Sequence, residues 1–105
     1  MIIPKDLNDN LFRLDNKVSI ITGASRGIGE AIAYGFSLFG STVVLASRSG
    51  RKINKISKDI ANNGGESLAI PTDVTDYTQL KNLVKKSISS FGKIDILVNC
   101  AGVAY

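Results

Sequence analysis

Two hydrophobic periods take turns along this chain, and that alternation restricts its fold more than any other feature. Val18-Ser19-Ile20-Ile21-Thr22 is a short β-branched run that stops at Gly23. A helix-period segment follows, with Ile28, Ile32, Phe36 and Phe39 on one face and Gly40 as its stop. Thr42–Ala46 reads as a second strand. Ile53, Ile56 and Ile60 recur at helical spacing and end at Asn62-Asn63-Gly64-Gly65. Ser67–Ile70 is a third, weaker strand. Leu80, Val84, Ile88 and Phe91 mark a third helix closed by Gly92, and Ile94–Val98 is a fourth strand. Buried runs indicate strands and a 3.6 period with glycine stops indicates helices. Four strands alternating with three helices require right-handed crossovers and a parallel sheet. Near-continuous apolar strands predict helices on both faces, so the expected fold is an α/β, doubly wound parallel sheet of order 3-2-1-4.

Such a sheet leaves the fourth strand at an open edge, an aggregation hazard unless something covers it. The chain has 105 residues, enough for one domain. The expectation is therefore a fragment of something longer; the alternative is a nucleotide-binding module complete at this length that needs a partner over the edge. Residues 1–16 read as a polar arm and residues 17–105 as a partial domain. The first residues lack the apolar core of a secretory signal, and no run is long enough for a membrane helix, so the expected setting is cytoplasmic, with no membrane partner. A single cysteine, Cys100, excludes an internal disulfide. With no histidine and scattered carboxylates, no metal site is expected. The net charge of +4 is assigned to solvated helix faces, since Lys52, Lys55 and Lys58, and Lys81 and Lys85, fall at surface-helix spacing. No aromatic-basic stacking pattern appears, so nucleic acid is not an expected partner.

Between the first strand and first helix stands Thr22-Gly23-Ala24-Ser25-Arg26-Gly27-Ile28-Gly29. Gly23 lets the chain turn off the strand, Gly27 removes a Cβ where backbone would meet a pyrophosphate, and Gly29 lets the helix pack closely. Free N–H groups and the positive end of the helix dipole then face an anion, which makes Gly23, Ser25, Arg26, Gly27, Ile28 and Gly29 candidate cofactor contacts. A glycine-rich turn without a ligand is the plainer reading; its place at the first crossover favours the ligand. Domains of this type that select NAD carry an acid about 20 residues beyond the glycines to hold the ribose 2′-OH. Here the second strand ends Ala46-Ser47-Arg48-Ser49, and no acid occurs between Glu30 and Asp59. An arginine fork suits a 2′-phosphate, whereas an aspartate would repel it.

These residues together resemble the short-chain dehydrogenase/reductase family. Its glycine motif, T-G-x-x-x-G-x-G, is filled at every fixed position by Thr22, Gly23, Gly27 and Gly29. Asp73-Val74 after Thr72 matches the family's aspartate near adenine. Asn99-Cys100-Ala101-Gly102 matches its N-N-A-G, except that Cys100 replaces the second asparagine. The lead-in Leu14–Val18 also fits, so the likeness spans residues 14 to about 103. It implies a Rossmann-type domain that holds a nicotinamide dinucleotide. Asp73 would contact adenine with the Val74 backbone beside it, and Asn99, Ala101 and Gly102 would line the nicotinamide-ribose loop. Ser47 stands where NAD-type members carry aspartate, and Arg26 and Arg48 where NADP-type members are basic, so the expected cofactor is NADP rather than NAD. Plainer roles compete: a helix-start turn for Asp73, a structural turn for Asn99, surface charge for the two arginines, a small buried residue for Cys100. The resemblance further implies hydride exchange with a carbonyl or alcohol substrate and a homo-oligomeric whole enzyme. The family's catalytic asparagine, serine and Tyr-x-x-x-Lys pair belong to the second half of a domain of roughly 250 residues. No catalytic residue is carried onto this chain, which by itself is expected to be inactive.

Overall fold

The computed structural model describes residues 12–102. Four strands, β1 (Val18–Thr22), β2 (Thr42–Ser47), β3 (Ser67–Pro71) and β4 (Ile96–Asn99), alternate with three helices, α1 (Gly27–Leu38), α2 (Gly50–Asn62) and α3 (Tyr77–Phe91). The strands form one parallel sheet of order β3-β2-β1-β4, as the alternation predicts. Period 2 along the strands sends alternate side chains to opposite faces. Ile21, Val43 and Leu45 join Ile53, Ile56 and Ile60 of α2 and Ala33 of α1 on one face. Ile20, Val44, Ala46 and Ile70 join Leu83 of α3 on the other. Each fully buried isoleucine or leucine contributes about 1.5–3 kcal/mol, so these two layers dominate the fold's stability.

Two helix faces differ from the sequence reading. On α1 the buried positions are Gly29 and Ala33. Ile28 is 75% exposed, and Phe39 lies beyond the helix as its exposed C-cap. Small residues face the sheet because α1 approaches it closely, while Ile32 and Phe36 fill the flank. On α3 the inward positions are Leu83 and Ser87; Val84 and Ile88 are 45% and 48% exposed. Ser87 tolerates burial because its hydroxyl donates to the Leu83 carbonyl at 2.7 Å.

The fourth strand also starts later than expected. Its ladder with β1 begins at Ser19 opposite Ile96. Asp95 closes the entry instead: its N–H donates to the Val18 carbonyl, and its Oδ2 accepts the Val18 N–H, both at 2.8 Å. Among the described residues strand β4 has β1 on one side only, and Leu97 is 65% exposed. Of the N-terminal arm, residues 1–11 lie outside the described residues. Leu14 N–H donates to the Phe39 carbonyl at 2.7 Å, and Arg13 pairs with Asp15 at 2.8 Å.

Candidate functional site

Four parallel strands deliver four loops to one rim. Ligands of open α/β sheets bind outside the carboxyl ends of the strands, where crossovers diverge to either side. Here that point lies beyond β1, with β2 on one flank and β4 on the other. All of the sequence-predicted site residues fall on this rim: Gly23 to Gly29 after β1, Ser47 and Arg48 at the end of β2, Asp73 and Val74 after β3, Asn99 to Gly102 after β4.

The β1 loop is tightly determined. Gly23 has φ +64°, and a Cβ there would stand 2.6 Å from the carbonyl carbon of Cys100. A Cβ on Gly29 would stand 2.1 Å from the Gly23 carbonyl oxygen, so only glycine lets α1 begin against the loop. Gly27 has φ +59° and open space where a Cβ would be, as a surface offered to a ligand requires. Arg26 is the N-cap of α1 but makes no side-chain bond to its first turn. That turn thus retains unsatisfied donors and the positive dipole end. Arg26, Gly27 and Ile28 are exposed, and Ser25 is half-buried.

Thr22, one of the motif positions though not among the predicted contacts, is the hub between the β1 and β4 loops. Its Oγ1 donates to Asn99 Oδ1 at 2.8 Å and accepts the N–H groups of Cys100 and Ala101 at 3.1 and 3.2 Å. The half-buried Cys100 also donates its N–H to the Thr22 carbonyl at 3.3 Å. A β-branched hydroxyl residue immediately before the first glycine was the available signal, because its side chain reaches the neighbouring strand's exit.

On the opposite flank, the Ser47 hydroxyl accepts the Ser49 N–H at 3.2 Å, and the Ser47 carbonyl accepts the Thr72 N–H at 2.8 Å, tying the exits of β2 and β3. Arg48 is exposed between them. Asp73 Oδ1 accepts from the Thr75 hydroxyl at 2.7 Å and the Thr75 amide at 2.9 Å. Those bonds, the hydroxyl first, hold the Asp73 carboxyl below the usual aspartate range, and the nearby Arg48 charge adds to them. The N-cap of α3 is Asp76, which accepts from Thr78 N–H and Gln79 N–H; Asp73 sits in the turn before it. Two surface recesses, one along Tyr77, Lys81 and Val84 and one around Arg13, Gly40 and Gly65, include none of the predicted contacts.

One tyrosine does carry a lysine four residues on: Tyr77 and Lys81. The pair opens α3, before β4 rather than in a second half of the domain, and the Lys81 ammonium packs 5.5 Å from the centre of the Tyr77 ring. It gains no catalytic role from its spacing. Among the described residues no cluster of histidine, cysteine and carboxylates could hold a metal, and no helix is long and apolar enough to cross a membrane.

A 3-2-1-4 parallel sheet with a three-glycine loop off its central strand defines a Rossmann-fold domain of the oxidoreductase type. The family model for short chain dehydrogenase matches residues 17–105, and the chain belongs to that family. It is 49% identical over 90 residues to an uncharacterised oxidoreductase of Staphylococcus haemolyticus, covering 86% of this chain and 38% of that protein. A solved 7α-hydroxysteroid dehydrogenase, complexed with NADH and 7-oxo glycochenodeoxycholic acid, superposes with a TM-score of 0.86 at 40% identity, covering 89% of this chain and 36% of that one. A metagenomic short-chain oxidoreductase in complex with NADP superposes at 0.83 and 35% identity, covering 88% and 42%. The chain thus spans about two fifths of the length of its relatives.

Proposed function

We propose that this chain is the cofactor-holding part of an oxidoreductase that moves hydride between NADP(H) and a carbonyl or alcohol. The observation that carries the choice of NADP is Arg48: a guanidinium stands at the exit of β2, beside Asp73 and without an acid on the same strand end. The rim suits a dinucleotide. Gly23 and Gly29 bring backbone together where a Cβ would collide, and Gly27 leaves the approach to the α1 N-terminus open.

In this reading the first turn of α1 and Ser25 hold the pyrophosphate. Arg26 and Arg48 hold the 2′-phosphate, with Ser47 adding a hydroxyl. Asp73 and Val74 bound the adenine. Asn99, Ala101 and Gly102, fixed through Thr22, carry the nicotinamide-ribose end. The nicotinamide supplies the hydride chemistry; the protein binds and orients it. A charge-assisted hydrogen bond contributes about 1.5–3 kcal/mol. Two exposed arginines, discounted for solvent, then give on the order of a hundredfold preference for NADPH over NADH. The substrate-bearing part and the homo-oligomer belong to the whole enzyme, in a cytoplasmic setting. Titration of the protein with NADPH and with NADH, repeated on Arg48→Asp, tests the assignment. Loss or inversion of the preference is expected; an affinity ratio unchanged by the substitution overturns it.

A further inference from the structure

Asp76-Tyr77-Thr78-Gln79 has the spacing of a capping box, in which the side chain three residues into a helix accepts the N-cap's own backbone N–H. Here that N–H is already taken, because Asp76 N–H donates to the Asp73 carbonyl at 3.0 Å. Gln79 reaches past the cap instead. Its Oε1 accepts the Asp73 N–H at 2.7 Å, and its Nε2 donates to Asp76 Oδ2 at 3.2 Å. The helix does not need this bond, since Asp76 Oδ1 caps the first turn through the backbone N–H groups of Thr78 and Gln79 at 2.9 and 3.3 Å. What the Gln79 side chain adds is a fourth restraint on Asp73, the one on its N–H; Asp73 Oδ1 is held twice by Thr75 and its carbonyl once by the Asp76 N–H. Among the described residues no protein donor binds Asp73 Oδ2.

We propose that Gln79 is a positioning residue that locks the Asp73 backbone so that Oδ2 selects a 6-amino purine over a 6-oxo purine. The inference rests on the dinucleotide reading above. An ionised carboxylate only accepts hydrogen bonds. The exocyclic amine of adenine donates to it, whereas the 6-oxo oxygen of hypoxanthine meets it acceptor to acceptor. The discrimination depends on where Oδ2 points. With its N–H released, Asp73 keeps the Thr75 and Asp76 bonds, but the peptide before it loses the bond that fixes its tilt, and the Asp73-Thr75 turn can pivot and re-aim Oδ2.

The test is the ratio of affinities for NADPH and for its deamino analogue, in which hypoxanthine replaces adenine, with NADH and deamino-NADH read in parallel. The parent protein is expected to favour adenine by about tenfold or more, the scale of one charge-assisted bond. Gln79→Leu, which has no acceptor, is expected to bring the ratio to within about threefold of one. Gln79→Glu keeps the acceptor at the same reach but sets its second oxygen against Asp76 Oδ2, so it is paired with Asp76→Asn, whose amide restores a donor there; the double variant is expected to retain the parental preference. Should Gln79→Leu fail to fold, Gln79→Ala is read in the same way. A folded Gln79→Leu or Gln79→Ala with the parental ratio overturns the inference, whatever its melting temperature or absolute affinity. A parent that binds both bases equally overturns it as well and leaves the cofactor reading standing. A parent that binds no dinucleotide overturns both.

Discussion

At the scale of single residues, two glycines of one loop are required for different reasons, and substitution separates them. Gly29→Ala places a methyl 2.1 Å from the Gly23 carbonyl oxygen, so backbone must move. It is expected to cost about 1–3 kcal/mol and to abolish dinucleotide binding. Gly27→Ala meets no atom, but its φ of +59° costs about 1–2 kcal/mol in a residue with a Cβ. Thermal melts with and without NADPH distinguish the two: ligand still raises the melting temperature of the second variant, by less than in the parent because its methyl stands in the approach that Gly27 leaves open, and does not raise that of the first. Asp95 gives a prediction in pH. The Val18 N–H, and then Lys93 at 3.0 Å, hold its carboxyl below the usual aspartate value. A carboxyl whose pKa is lower folded than unfolded contributes stability in full above the unfolded value and loses it as pH falls through the folded one. Asp95→Asn should therefore flatten the decline of the unfolding midpoint between about pH 5 and pH 3. A decline as steep as the parent's would show that other carboxylates carry it.

At the scale of elements, the helix faces give the sharpest contrast. Leu83→Ala empties a buried site against Ile20, Val44 and Ile70 and should cost about 2–4 kcal/mol in denaturant unfolding. Val84→Ser, one residue away and half-exposed, should cost under about 0.5 kcal/mol. The same pair shows what the sequence conveys and what it withholds. The strands, their order and α2 were legible because Ile53, Ile56 and Ile60 leave one apolar stripe and no competitor. On α3 two stripes share Leu80 and Phe91, one through Val84 and Ile88 and one through Leu83 and Ser87. Counting large apolar residues selects the first. The second wins because the buried serine satisfies its hydroxyl within the helix. On α1 the spacing of Gly29 and Ala33 carried the contact, a signal in small residues that a search for bulk passes over. That the predicted contacts would gather on one rim was legible from the order of strands, helices and glycines. The Thr22 hub and the detour of Gln79 were not, because each depends on which backbone N–H groups other acceptors leave available.

At the scale of the molecule, the sheet is asymmetric. Leu97 lies opposite Ile20 in register, hence on the face that α3 covers, yet stays largely exposed on a strand with one neighbour. An open apolar edge templates association. The 105-residue chain studied by itself should self-associate with rising concentration, and Leu97→Lys should reduce this in sedimentation. Equal association of the two would place the contact elsewhere. The same chain is expected to bind NADPH without reducing a carbonyl substrate; turnover by it would show that catalytic groups lie within residues 1–105.

The clasp between Asp95 and Val18 spans 77 positions. At a synthesis rate of about 5–20 residues per second, one flank of the central strand waits roughly 4–15 s on the ribosome before its neighbour exists. During that interval β1 can pair only with β2. The nascent chain is thus a half-built sheet in which β1 has one unpaired edge, and it is at that stage that chaperones would have an apolar strand edge to shield.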